Sequence, residues 1–187
     1  MKDLIFESEK NNVKRFKQIY DQYFKYVYSF VLSRTCGDEQ RTEDIVQDTF
    51  LIAWNQLNYF QRKSSYKTWL CGIAKNKLYE EYRKQVRDSN TVTLDLETIE
   101  MISSDISVER IILNEEQRKN IIKILYNLNP IYRNCLILKY MDDCSVKEIA
   151  NIFGKTPKAI DGILQRAKKN FVFQYLKNNE REKFNAR

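Results

Sequence analysis

The chain has 187 residues, 43% hydrophobic and 30% charged, a globular balance that sets aside disorder as a description of the whole. Four glycines and two prolines are too few to turn the strands of a sheet fold, so long helices are expected. The absence of histidine removes most zinc sites and most general acid–base catalysis, while a net charge of +7 suits a polyanionic partner.

The charge is unevenly spread: residues 1–88 and 109–187 are both net basic, and residues 89–108 hold four acids and no base. Within the first block, four helices are expected. Phe16, Tyr20, Tyr23, Val27 and Val31 recur at helical spacing and give one apolar stripe. Cys36-Gly37-Asp38 ends that helix with a glycine suited to a left-handed cap. A second helix starts at Thr42 or a nearby polar residue, with Val46, Phe50, Ala53, Trp54 and Leu57 as its apolar side. The segment from Asn58 to Ser65 is polar, basic and aperiodic, which reads as a loop or short distorted helix. The next helix runs from about Tyr66 to Arg87, with Trp69, Leu70, Ile73, Ala74 and Leu78 facing the core.

Residues 88–107 carry Ser, Thr, Asn and acids without a sustained stripe, as a linker does; a short strand or helical turn near Val92–Leu96 or Ile99–Ile102 is compatible with them. A helix from about Val108 then buries Ile111, Ile112, Ile121, Ile122, Leu125 and Leu128. Asn129-Pro130 supplies a cap followed by proline at the first helical position, where its missing N–H costs nothing. The helix it starts carries Leu136, Leu138 and Tyr140. Ser145 to Glu148 has the form of a capping box, placed directly before Ile149, Ala150, Ile152 and Phe153. Thr156-Pro157 repeats the cap-then-proline start for a last helix striped by Ile160, Ile163, Leu164, Ala167 and Phe171.

Three constellations carry functional information. Residues 145–171 form a helix-turn-helix: Ala150 is small where two helices cross, and Gly154 frees the backbone for the turn. This leaves Lys158, Asp161, Gly162, Gln165, Arg166 and Lys169 on or beside the outer surface of a helix suited to a major groove. Gln165 and Arg166 suit base edges or phosphate, and Lys168 and Lys169 suit phosphate. The plain alternative is a helical hairpin with a solvated basic face. In the second constellation, Asp44, Gln47 and Asp48 lie at i, i+3 and i+4, one polar face opposite the Val46–Phe50–Trp54 stripe. Such an acidic ridge suits a basic protein groove or coiled coil; an ordinary solvated face is the bland reading. In the third, Arg62 and Lys63 precede a helix on which Asn76, Tyr79 and Arg83 form a stripe, with Lys75, Lys77 and Lys84 close by. Amide, aromatic and basic groups together can hydrogen-bond, stack on unpaired bases and neutralise phosphate. For Trp69 the core is the preferred place.

The segments EDIVQDTFLIAWNQL and YKTWLCGIAKNKLYEEYRK resemble region two of extracytoplasmic-function sigma factors, within the sigma-70 family. The segment LNPIYRNCLILKYMDDCSVKEIANIFGKTPKAIDGILQRAKK resembles their region four. The likeness covers roughly residues 12–88 and 110–175. It implies an all-α protein of two small helical domains joined by a polar linker, the second containing the helix-turn-helix: 1–88, 89–108 and 109–187. It implies that Asp44, Gln47 and Asp48, with Leu51 beside them, dock on the β′ clamp coiled coil of bacterial core RNA polymerase, and that the second domain meets the β flap. The 58–66 loop and Asn76 match the segment that captures a flipped base of the -10 element. Arg62, Lys63, Lys75, Lys77, Tyr79, Arg83 and Lys84 complete that surface. The helix from Thr156 matches the reader of the -35 element, with Lys158, Asp161, Gly162, Gln165, Arg166, Lys168 and Lys169. Asp161 and Gly162 depart from the basic residue and small hydroxyl of many relatives, Lys158 and Ala159 replace a common Gly-Thr pair, and Cys71 replaces an aromatic or basic residue.

The expected protein is a cytoplasmic, non-enzymatic sigma factor whose partners are core polymerase, promoter DNA and an anti-sigma factor. No cofactor, metal, small-molecule substrate or membrane insertion is expected. The acidic linker is expected to thread a basic polymerase channel. The four cysteines, Cys36, Cys71, Cys135 and Cys144, lack metal spacing and read as reduced, buried or half-buried residues. Three rivals stand beside this reading: a duplex-binding regulator acting without polymerase, a carboxylate-dependent phosphohydrolase on the first helices, and a sigma-like sensor held by an inhibitor.

Overall fold

The computed structural model describes residues 2–88 and 115–185, with side chains described for 11–88 and 117–178. The linker, the start of a helix at Val108 and the core positions Ile111 and Ile112 lie outside the described residues. Among those described, all regular structure is helical. In chain order it is α1 (Lys2–Arg34), α2 (Glu39–Gln56), a 3-10 turn (Leu57–Tyr59), α3 (Tyr66–Asp88), α4 (Glu115–Asn127), α5 (Pro130–Tyr140), α6 (Val146–Phe153) and α7 (Pro157–Asn185). The chain divides into two compact units, Met1–Glu80 and Glu81–Arg187, the division falling inside α3.

The first unit holds α1, α2, the 3-10 turn and α3 as far as Glu80, where four helices were expected. Gly37 closes α1 with a φ of 84°, as expected, and Cys36 before it is also left-handed, at 56°. The N-cap of α2 is Asp38, whose carboxylate accepts from Arg41 N at 3.0 Å. Thr42 is therefore inside the helix and fully buried, where its hydroxyl pairs with that of Thr35 at 2.7 Å across the turn. Ile19, Val27 and Val31 bring α1 into the core. Tyr20 is more exposed than its place on the predicted stripe implies, because Ile19 takes the inward position and the phenol end reaches water. Around the buried Phe50 of α2, the rings of Tyr20, Phe24 and Phe16 lie 4.8, 6.1 and 6.3 Å away by centroid. Trp54 also sits at this edge, 5.2 Å from Phe16, and is partly exposed rather than core. From α3, Leu70, Ile73, Ala74 and Leu78 are buried as their spacing predicts.

In the second unit α5 is the central element. Seven consecutive residues, Tyr132 to Leu138, are buried, so the helix is covered on every side. Asn129 caps it through a hydrogen bond accepted from Ile131 N at 3.1 Å, with Pro130 in the first turn. α4 turns Ile124 and Leu125 inward, and Leu128 just after it is also buried, whereas Ile122 is exposed; Ile122 sits about 160° around the helix from Ile124 at 100° per residue. α7 packs on α4, α5 and α6, burying Ile160, Ile163, Leu164, Ala167, Phe171 and Val172.

Candidate functional site

The acidic ridge forms on the outer face of α2. Asp44, Gln47, Asp48 and Leu51 are all exposed, while Ile45, Val46, Thr49, Phe50 and Ala53 are buried beneath them. The Thr49 hydroxyl donates back to Ile45 O at 2.7 Å, so the polar group inside the packed face is satisfied. Leu51 is 59% exposed, an apolar shelf at the end of a carboxylate and amide row. A rigid helix carrying two negative charges and an apolar step is chemically suited to a basic, partly apolar protein surface. Asp48 is also bound within the fold: Lys77 Nζ of α3 lies 2.9 Å from its Oδ2 and 3.1 Å from Glu80 Oε2.

The second surface starts at the 3-10 turn. Leu57 is buried and anchors it, Tyr59 is 82% exposed, and Phe60 folds back to stack on Tyr66 and Trp69, with centroids at 4.8 and 4.6 Å. Trp69 is half-buried because it belongs to this stack at the edge of the core. Arg15 of α1 locks the stack, donating from Nε and Nη2 to the Tyr66 hydroxyl at 2.9 and 2.6 Å. Ser65 starts α3 by accepting from Thr68 N at 3.1 Å. Between these fixed ends Arg62 adopts a left-handed φ of 55°, and Arg62 and Lys63 project into solvent. Tyr59 joins the residues singled out from sequence in this loop; its signal there is the aromatic pair Tyr59-Phe60 in an otherwise polar segment.

Along α3, Asn76, Tyr79 and Arg83 follow one another at three- and four-residue steps and share a face, with Asn76 and Arg83 exposed and Tyr79 half-buried. Lys75 is half-buried beside that face, and Lys84 is exposed. The ammonium of Lys77, on the same helix, is held by Asp48 and Glu80. Half-buried Cys71 has its pKa raised chiefly by burial, against the opposing fields of Arg34, Lys67 and Lys75. Burial pushes the Cys135 thiol up to about 12, and all four cysteines are unbridged.

The third surface is the helix-turn-helix. Ser145 and Glu148 form the expected capping box: Glu148 N donates to the Ser145 hydroxyl at 3.2 Å and Ser145 N donates to Glu148 Oε2 at 2.7 Å. Gly154 is left-handed, with a φ of 62°. Lys155 N then donates to Ala150 O at 2.9 Å and Gly154 N to Asn151 O at 3.4 Å, the paired bonds that satisfy a helix end. Thr156 caps α7 by accepting from Ala159 N at 3.2 Å. With Ile160, Ile163 and Leu164 turned inward, Lys158, Asp161, Gln165, Lys168 and Lys169 are exposed, and Gly162 and Arg166 are half-buried. A Cβ on Gly162 would stand 3.9 Å from the Arg166 guanidinium, so Arg166 lies back along its own helix. Lys168 sits 5.3 Å above the Tyr140 ring of α5. Lys158, Asp161, Gln165 and Lys169 thus face outward together on α7, with exposed Lys168 close to Asp161 around the helix.

The capping box makes a pH prediction. Hydrogen bonds from Ser145, through its side chain first and its backbone second, hold the Glu148 carboxyl below its usual pKa. Its contribution to stability is present above the ordinary glutamate value and is lost as pH falls through the lowered folded-state value. Thermal melts of the parent should therefore lose more on acidification than those of Glu148→Gln. Ser145→Ala should cost about 1 kcal/mol at neutral pH.

Among the described residues no group of three or more Cys, Asp or Glu side chains is placed to hold a metal ion. Residues 19–88 match the family Sigma-70 region 2, and residues 118–171 match Sigma-70, region 4. The ECF RNA polymerase sigma factor BldN of Streptomyces coelicolor is 27% identical over 171 residues, 89% of this chain, which spans 62% of BldN. The RNA polymerase sigma factor NccH of Alcaligenes xylosoxydans xylosoxydans is 31% identical over 131 residues, 70% of each chain. Among solved structures, the sigma factor RpoE in complex with the anti-sigma factor NepR, from Bartonella quintana, is 25% identical. That similarity covers 87% of this chain and 97% of the other, with a TM-score of 0.44. Two family regions matched in order, one carrying the acidic ridge and the other the helix-turn-helix, make the chain a member of the sigma-70 family of RNA polymerase sigma factors, in its extracytoplasmic-function group.

Proposed function

We propose that the α2 ridge docks this sigma factor on the clamp coiled coil of core RNA polymerase, that α7 reads the -35 duplex, and that the 58–66 loop with α3 holds unpaired -10 bases. The observation that carries this is the ridge itself: Asp44, Gln47, Asp48 and Leu51 stand in water on a helix whose opposite face is fully packed. An acidic face of that kind disfavours DNA and suits a basic protein, which supports a partner other than the promoter. The functional modules are residues 1–88, the acidic linker 89–108, and 109–187, the last also meeting the β flap.

The work done is binding free energy. Flipping and unstacking a base costs a few kcal/mol. Stacking on Tyr59 and Tyr79, hydrogen bonds from Asn76, and phosphate contacts from Arg62, Lys63, Lys75, Arg83 and Lys84 offset it. Upstream, Gln165 and Asp161 are placed for base edges, Asp161 as an acceptor from cytosine N4, with Lys158 and Lys169 on phosphate. Arg166 joins them by swinging out from Gly162. An anti-sigma factor is a further partner in this reading, on the strength of the family resemblance. The site of action is the cytoplasm, where the polymerase is; no described helix is long and apolar enough to cross a membrane.

The test is equilibrium binding of the purified chain to bacterial core polymerase, followed by transcription from promoter fragments. Tight binding and promoter-dependent transcripts are expected. Failure to bind core, with tight binding of duplex operator by the chain alone, would make it a stand-alone regulator instead.

A further inference from the structure

Lys77 belongs, by its place in a basic helix, among the residues expected to hold promoter backbone. Its geometry is different. The ammonium lies 2.9 Å from Asp48 Oδ2 on α2 and 3.1 Å from Glu80 Oε2 one turn along α3. Its side chain is 26% exposed, against 52% for Asp48 and 57% for Glu80, so it is the inner member of the triad. Asn76, by contrast, is about 100° away around the helix and exposed. We propose that Lys77 is a positioning residue for polymerase docking: anchored by Glu80, it grips one oxygen of Asp48 and so presents the other to the basic partner.

The chemistry supports a holder. A carboxylate accepts about four hydrogen bonds on its two oxygens, so a lysine on Oδ2 leaves capacity on Oδ1. Fixing the side chain before docking removes part of the ordering cost that association otherwise carries. Hydrogen bonds to Asp48 first and Glu80 second also raise the Lys77 pKa, so the ammonium stays charged throughout the neutral range. The proposal rests on the docking role of the ridge, and it makes a prediction of unusual sign. Deleting a positive charge beside a surface that meets a basic partner should, by long-range electrostatics alone, tighten binding. Loss of positioning should weaken it.

The experiment is affinity for core polymerase of the full chain carrying Lys77→Ala, Lys77→Arg, Asp48→Asn, and Lys77→Ala with Asp48→Asn. Each is also measured for binding of a single-stranded -10 oligonucleotide at saturating core. Lys77→Ala should weaken core binding about three- to fivefold, the upper part of the range for exposed ion pairs. Lys77→Arg should restore most of it, Lys77→Ala should add no loss in the Asp48→Asn background, and oligonucleotide binding should be unchanged. Thermal melts identify any variant whose folding has changed, and Glu80→Gln, which frees the anchor alone, should reproduce part of the loss. Unchanged or tighter core binding by Lys77→Ala overturns the proposal, as does an equal loss in the Asp48→Asn background. Loss confined to the oligonucleotide returns Lys77 to the DNA surface. A parent chain that does not bind core at all instead removes the docking role itself.

Discussion

Replacing Asp44, Gln47 and Asp48 together by alanine should lower affinity for core RNA polymerase by at least about a hundredfold, close to 3 kcal/mol, as expected where a cluster of central contacts is removed. The three side chains are exposed and form one face of α2. Their removal takes away two charges and an amide, while Ile45, Val46, Thr49 and Phe50 stay packed underneath. Alanine is the best helix former, so α2 should not fray, and the melting temperature should stay close to that of the parent. The loss should appear in the association rate at low salt as well as in the dissociation rate, as expected of a charged ridge that would both steer and hold a basic partner. Stopped-flow association with labelled core polymerase at two salt concentrations separates these contributions. A variant that melts like the parent and binds core equally well would show that the ridge is an ordinary solvated face.

What could be read from sequence was set by whether the deciding interaction is local. Helix starts were legible where a cap is followed by proline or a glutamate three residues on, as at Asn129-Pro130, Ser145 to Glu148, and Thr156-Pro157. Gly154 announced its turn because few other residues take a φ of 62° at no cost. The end of α5 was harder, since Asp143 supplies the left-handed residue there, with a φ of 55°, and no glycine marks it. Core faces were legible where aliphatic residues set the register, as Ile160, Ile163, Leu164 and Ala167 do on α7. They slipped where tyrosine or a second isoleucine offered a competing register: Ile19 is buried where Tyr20 was expected, and Ile124 where Ile122 was. The ridge was legible because i, i+3 and i+4 spacing on one helix defines a face. Lys77 was not, because its partner Asp48 is on another helix and only packing brings them together.

Tyr59 shows the same limit in the 58–66 loop, and its replacement by alanine should weaken binding of the unpaired -10 strand by about 1–3 kcal/mol, roughly five- to 150-fold, if one base stacks on it. The structure isolates the ring from the core: it is 82% exposed, between Leu57, which is buried, and Phe60, which is stacked on Tyr66 and Trp69. With so little of the ring covered, Tyr59→Ala should melt like the parent. Tyr59→Phe should keep most of the affinity, since stacking uses the ring face and not the hydroxyl. Arg62→Ala at the loop tip should behave differently, lowering affinity with a shallower salt dependence, by about 0.7 in the single-strand slope if one phosphate contact is lost. Fluorescence anisotropy of a labelled non-template oligonucleotide, titrated with saturated holoenzyme over a range of salt, distinguishes the two. A stacking residue changes the intercept and leaves the slope, whereas a phosphate contact changes both. If Tyr59→Ala shows parental affinity at every salt concentration, the base stacks elsewhere, and half-buried Tyr79 on the face of Asn76 becomes the ring to test.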